Sequence, residues 1–204
     1  MRTTSIFIVF LIFSATVFSQ NESSKEWLKM YCEIIVKLKS DSAKQVSFYS
    51  ILLQNRTELK PLLDKEYNDF EKRNLILQPN RTEIEIKKDF LTYIAFNVID
   101  NCPEAKSIVL TSLKNCPKQN KTLEMILSAV DNFFATNKNK SNTFLNENVS
   151  EIITKTIFEN EKIVNKDYKE GILDSKLRTD LQTFLMYKST NYLKISLFSA
   201  IQSE

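Results

Sequence analysis

The sequence predicts an all-α protein, an irregular bundle of seven or eight helices. Three observations lead there. Apolar residues recur at helical spacing from end to end, while strand-like alternation is nearly absent. Only one glycine, Gly171, occurs in 204 residues, so tight hairpins and glycine-rich loops that need φ > 0 have almost no material. Capping boxes, asparagines and prolines stand where such helices would start and stop.

The elements follow in order. Ser23-Ser24-Lys25-Glu26 has the form of a capping box and opens a helix that turns Leu28, Tyr31, Cys32, Ile35 and Leu38 inward. Asp41 caps a second helix, with Val46, Tyr49, Leu52 and Leu53 inward. Pro61 suits the first turn of a third helix carrying Leu62, Leu63, Tyr67 and Phe70, and Leu75 to Asn80 reads as an extended connector. Thr82-Glu83-Ile84-Glu85 is a second capping box, opening an amphipathic helix through Ile86, Phe90, Tyr93, Ile94, Asn97 and Val98. Pro103 stops it and starts a short helix with Ile108, Val109 and Leu113 inward, which ends at Asn115-Cys116-Pro117.

Leu123, Ile126, Leu127, Val130, Phe133 and Phe134 mark a sixth helix. The stretch from Asn137 to Asn148 is the most polar and reads as a mobile loop. A seventh helix carries Ile152, Ile153, Thr156, Ile157, Ile163 and Val164. Gly171 reads as an αL turn residue. From Asp174 one long closing helix follows, bent near Ser189-Thr190, through Leu177, Leu181, Phe184, Leu185, Leu193, Leu197 and Ile201.

The first nineteen residues have the build of an export signal. Arg2 supplies the basic start, Ile6 to Phe13 the apolar run, and Val17 and Ser19 fit the small positions before a cleavage site at Gln20. The apolar stretch is shorter than the roughly 20 residues of a spanning helix, and no other segment reaches that length. The expected organisation is therefore a signal over 1–19 and one helical domain over 20–204, the polar stretch 137–148 being the one place for a weak boundary. The expected address is periplasmic or extracellular.

Three cysteines in an exported chain leave room for one disulfide and a free thiol. Cys102 and Cys116 bracket an expected helix, and fourteen residues at 1.5 Å rise separate them by roughly 20 Å. A disulfide needs Cα atoms about 4.4–6.8 Å apart. Cys32 is then the common partner. Cys102 is the first choice, Cys116 the second, and three free thiols the third; with the first choice, Cys116 is left as a free thiol.

The absence of histidine removes the usual general base at neutral pH and the commonest transition-metal ligand. No glycine-rich phosphate cradle or EF-hand loop is present. A net charge of +3, spread among acidic residues, argues against nucleic acid as a partner. Carboxylate pairs are the remaining catalytic option. Glu83 and Glu85 read as a solvated first turn, however, and Asp64, Glu66 and Asp69 as an outer face. No catalytic residue, cofactor or metal site is assigned. Six Asn-x-Ser/Thr sequons occur, at Asn21, Asn55, Asn80, Asn120, Asn139 and Asn148, several of them at natural cap or turn positions.

The run closing in Phe18-Ser19-Gln20-Asn21 resembles the signals of proteins exported by flavobacteria and their Bacteroidetes relatives. Trp27-Leu28-Lys29-Met30-Tyr31-Cys32 and Val98-Ile99-Asp100-Asn101-Cys102-Pro103-Glu104 resemble small helical proteins exported by the same group. The resemblance covers Trp27 to Leu110. It implies a periplasmic or cell-surface address and implies no activity.

The expected function is that of an exported, non-enzymatic module that binds a protein or envelope component. The alternatives are a helical carrier of a small apolar ligand and, third, a carboxylate-based hydrolase. Phe90, Tyr93, Phe133 and Phe134 are the candidate ligand or partner surface.

Overall fold

The computed structural model describes residues 25–40, 56–111, 113, 115–169 and 175–203, and every regular element among them is a helix. The expected export signal, the capping serines Ser23 and Ser24, the expected helix after Asp41, and Gly171 lie outside the described residues. Nine helices are present among the described residues. They are α1 (Lys25–Ser40), α2 (Arg56–Leu77), α3 (Glu83–Asn101), α4 (Pro103–Thr111), α5 (Lys121–Thr136), α6 (Asn142–Glu159), α7 (Glu161–Asp167), α8 (Ser175–Lys188) and α9 (Thr190–Ser203). None is long and apolar enough to cross a membrane.

The count exceeds the expected seven or eight because two expected helices are each divided. Asn160 tightens the end of α6 with an N–H bond to Ile157 three residues back, and its amide donates to the Thr156 carbonyl, so the chain leaves the helical path before α7. Ser189 separates α8 from α9 at the expected bend. Its hydroxyl donates to Asp131 Oδ1 at 2.6 Å and accepts from Tyr192 N–H, so this buried serine both caps α9 and ties it to α5.

Two segments depart from their expected conformation. Pro61 sits inside α2, not at its first turn, and the helix runs on through Leu75, Ile76 and Leu77, where a connector was expected. Leucine and isoleucine tolerate the helix, and Pro79 stops it by restricting Gln78, whose N–H makes the last helical bond to Asn74 at 2.8 Å. The polar stretch after Asn137 is mostly the start of α6. Ser141 caps that helix through the Phe144 N–H, leaving a short turn in place of a long loop. Phe144, Leu145, Val149, Ile152 and Ile153 then keep helical spacing toward the core, which the asparagines around them obscured.

Among the described residues three apolar clusters hold the helices together. Trp27, Tyr31, Ile35, Leu59, Val98 and Cys102 fill the first, between α1, α2, α3 and α4. Leu123, Ile126, Val130, Phe134, Phe184 and Leu185 lead the second, between α5, α6, α7, α8 and α9. Ile99, Leu110 and Leu193 form a small joint where α9 packs along α3. The bend at Ser189 thus has a packing purpose. It lets α9 keep Ile195 in the second cluster while Leu193 reaches Ile99 on α3 and Leu110 on α4.

Cys32 and Cys102 form a disulfide across α1 and the end of α3, with Cα atoms 5.5 Å apart. Cys116 is free and half-buried against the second cluster. The capping box at Thr82 and Glu85 is complete, each side chain bonding the other's backbone N–H. Those bonds hold the Glu85 carboxyl below its usual range, the Thr82 backbone donor contributing most.

Candidate functional site

The α2–α3 hairpin is held together by aromatic rings and by one carboxylate, Glu66, that was expected to face water. Glu66 was assigned to an outer face with Asp64 and Asp69, but it is 6% exposed. The reason is its partner on the next helix: Tyr93 donates its hydroxyl to Glu66 at 3.0 Å, and Arg73 lies 3.6 Å away. Around this link Phe90 meets Tyr67 at 5.1 Å and Phe70 at 5.4 Å between ring centroids, and Tyr93 meets Phe70 at 5.4 Å. The two candidate aromatics Phe90 and Tyr93 therefore serve first to clamp α3 onto α2.

The far end of the same hairpin is bare. Ile76 is 82% exposed, Leu77 79% and Ile84 68%, with Leu75 and Leu91 also exposed. Five of the seven large apolar side chains exposed among the described residues sit on this one hairpin, so they are a concentration and not scatter. The turn between them is closed by an Arg81 N–H to Gln78 carbonyl bond and by an Arg81–Asp89 ion pair. Ile76 and Leu77 end α2, and Ile84 is the second residue of α3, two after its Thr82 cap. The tip is consequently pre-shaped: apolar side chains stand on helical backbone and lose little freedom on contact.

A second region lies where α3, the start of α6 and α9 meet. One concavity of about 560 Å³ is lined by Phe70, Tyr93, Phe96, Asn97, Asp100 and Phe198, among others. Another of about 220 Å³ adjoins it, shares Phe96, Asn142 and Lys194, and reaches Phe134. Tyr93 and Phe134, of the four candidate aromatics, thus line neighbouring hollows. Phe90 and Phe133 line neither of them. Phe133 is packed between Phe134 at 5.5 Å and Phe144 at 6.5 Å. Both hollows are open to solvent and of mixed polarity, unlike the closed apolar cavity a carrier would need.

The carboxylates in the larger hollow do not face each other. Asp89 and Asp100 are eleven residues apart on α3, about 16 Å along its axis, against the roughly 5–9.5 Å of two-carboxylate hydrolysis. Each already has a cation: Asp89 has Arg81, and Asp100 has Lys194 at 2.7 Å. Among the described residues no group of three or more Cys, Asp or Glu side chains is placed to hold a metal ion.

Two sequon asparagines have structural work that attached sugar would disturb. Asn120 caps α5 through Leu123 N–H and donates to the Tyr168 hydroxyl at 3.0 Å. Asn148 donates to the Phe144 carbonyl within α6.

The tyrosines give a measurable signature of this packing. Burial first, then Glu66, pushes Tyr93 up to about 12, and burial leads the rise of Tyr168 to about 12. Tyr31 and Tyr192 are raised by burial as well. A phenol raised above its usual 10 adds stability that is complete below pH 10 and is lost as pH climbs through the folded value. An ultraviolet titration should show a fraction of the tyrosine, Tyr93 and Tyr168 within it, ionising only near pH 12 and together with loss of helix. Ionisation centred on the ordinary value near 10, with helix intact, would contradict this packing.

No family model, curated protein or solved structure matches this chain.

Proposed function

We propose that the chain is an exported, non-enzymatic module that binds a protein of the cell envelope through the apolar tip of its α2–α3 hairpin. The observation that carries this reading is the grouping of Ile76, Leu77 and Ile84 at high exposure on a braced hairpin. Export is supported by the signal-like first nineteen residues, by the Cys32–Cys102 disulfide, which suits an oxidising compartment, and by the resemblance to exported flavobacterial helical proteins. A protein partner is favoured over a lipid surface by the charges beside the tip. Arg81 is paired with Asp89 and Lys87 with Glu83, and Glu85 also flanks Ile84. None of the exposed apolar side chains of the tip is aromatic, whereas an interfacial helix carries free lysine and arginine around its apolar face with aromatic anchors.

The triple variant Ile76→Asn, Leu77→Asn, Ile84→Asn tests the reading, because all three positions are exposed and their replacement leaves the core intact. Burying a large aliphatic side chain contributes about 1.5–3 kcal/mol, so even one lost contact reduces affinity about tenfold or more. The immobilised wild-type protein should retain an envelope protein that the variant releases, and the purified pair should reproduce the difference. Equal retention by the variant, or binding to lipid vesicles in place of a protein, would overturn it.

A further inference from the structure

The smaller hollow carries a different chemistry from the hairpin tip. Its floor is apolar, made by the Phe96 and Phe134 rings with Leu145 and Ile195. Its rim is basic: Lys138 and Lys140, from the turn before α6, and Lys194, from α9, line it. Asn142 and Asn191 add carboxamides, and among the described residues no acidic side chain lines it. Lys194 is fixed in place by Asp100 at 2.7 Å and by the face of Phe96, 4.9 Å from its nitrogen. Lys140 lies 5.5 Å from the centre of the Phe144 ring, and neither it nor Lys138 has an ion-pair partner among the described residues.

Each part selects something in a ligand. The rim carries three lysines and Asp100 offsets only Lys194, so its net positive field attracts an anion. A bare inorganic anion would satisfy the rim and leave the phenylalanine floor wet. A neutral hydrocarbon would cover the floor and leave two uncompensated ammonium groups at its edge. The volume of about 220 Å³ fits a compact molecule, and the shared wall of Phe96 lets a longer body continue into the adjoining hollow. The carboxylates Asp89 and Asp100 line only that larger hollow, so the charged head belongs on the lysine side.

We infer that this hollow binds a small organic anion, a carboxylate or phosphate head on a compact apolar body, with Lys138, Lys140 and Lys194 holding the head and Phe96 and Phe134 receiving the body. None of these residues belongs to the α2–α3 tip, so the two sites stand or fail separately.

Octanoate, with 1-octanol and inorganic phosphate as partial mimics, tests it by amide-shift titration of the whole protein. Octanoate should give saturable shifts at Phe96, Phe134, Asn142 and Lys194, with an affinity at least tenfold above that of either mimic. The double variant Lys138→Ala, Lys140→Ala, at two exposed positions, should weaken octanoate at least tenfold, change octanol less than twofold, and keep the far-ultraviolet spectrum of the wild type. Octanol binding as well as octanoate would overturn the role of the lysines. Phosphate binding as well as octanoate would overturn the role of the phenylalanine floor. Octanoate binding unchanged in the double variant, or shifts centred on other residues, would overturn the site itself.

Discussion

Replacing Cys102 with alanine is expected to lower the melting temperature by about 10 °C. The bond joins residues 70 positions apart, and it encloses all of α2 and all of α3 in one loop. In the chain-entropy account, closing a loop of that length restricts the unfolded chain by about 4 kcal/mol, with measured cases often lower. For a protein of this size each kcal/mol moves the midpoint by about 2–4 °C. A packing loss adds to it, because Cys102 is 1% exposed in the cluster around Trp27 and Val98. Thermal scans of the wild type with and without reductant, beside the variant, check both parts. Reductant should reproduce most of the shift, and reductant should have no further effect on the variant. A wild-type midpoint indifferent to reductant would mean that the bond contributes nothing to stability.

Phe184→Ala should destabilise the fold by about 3–5 kcal/mol, the cost of emptying a large buried aromatic site. Phe184 is 1% exposed at the centre of the second cluster, far in sequence from the single tryptophan, Trp27, in the first. That separation makes the variant informative beyond its magnitude. The clusters meet through Ile99, Leu110 and Leu193, and the C-terminal end of α9 is further tied to α3 by the Lys88 ammonium on the Gln202 carbonyl. If this joint couples them, denaturant should shift Trp27 fluorescence and helical circular dichroism together, in one transition moved to lower concentration. Two separated transitions, with Trp27 unaffected by the substitution, would show that the clusters unfold independently.

How much of this was legible in the sequence depended on the range of the interaction that fixes each feature. The capping box at Thr82 and Glu85 is closed within four residues, and its helix follows as expected. Pro103 likewise starts α4 where proline chemistry places it. The disulfide pairing came through because a helix between Cys102 and Cys116 ruled out the local partner; that helix, α4, is present. Glu66 was misplaced for the opposite reason. Its burial is set by Tyr93, 27 residues on, and nothing in its own neighbourhood distinguishes it from Asp64 or Asp69. Leu75 to Leu77 look like a connector because Pro79 follows, and their exposure depends on no other described element covering them, which no local pattern reports. The lysine-rimmed hollow draws on α3, α5, α6, α9 and the turn at Lys138 to Lys140, so its parts carry no common spacing. The candidate aromatics were sound as core residues, yet only the fold could divide them into clamp, wall and filling.

The most direct test of a partner-binding hairpin is photo-crosslinking from the tip itself in intact source cells. Benzoylphenylalanine placed at Ile76 or at Ile84 reports whatever covers the exposed aliphatic surface, and the same probe at Glu151, exposed on α6, reports background. The account predicts one envelope protein captured from both tip positions and absent from the control position. The same adducts from Glu151 as from Ile76 and Ile84, or tip adducts only to lipid or to a second copy of this chain, would contradict it.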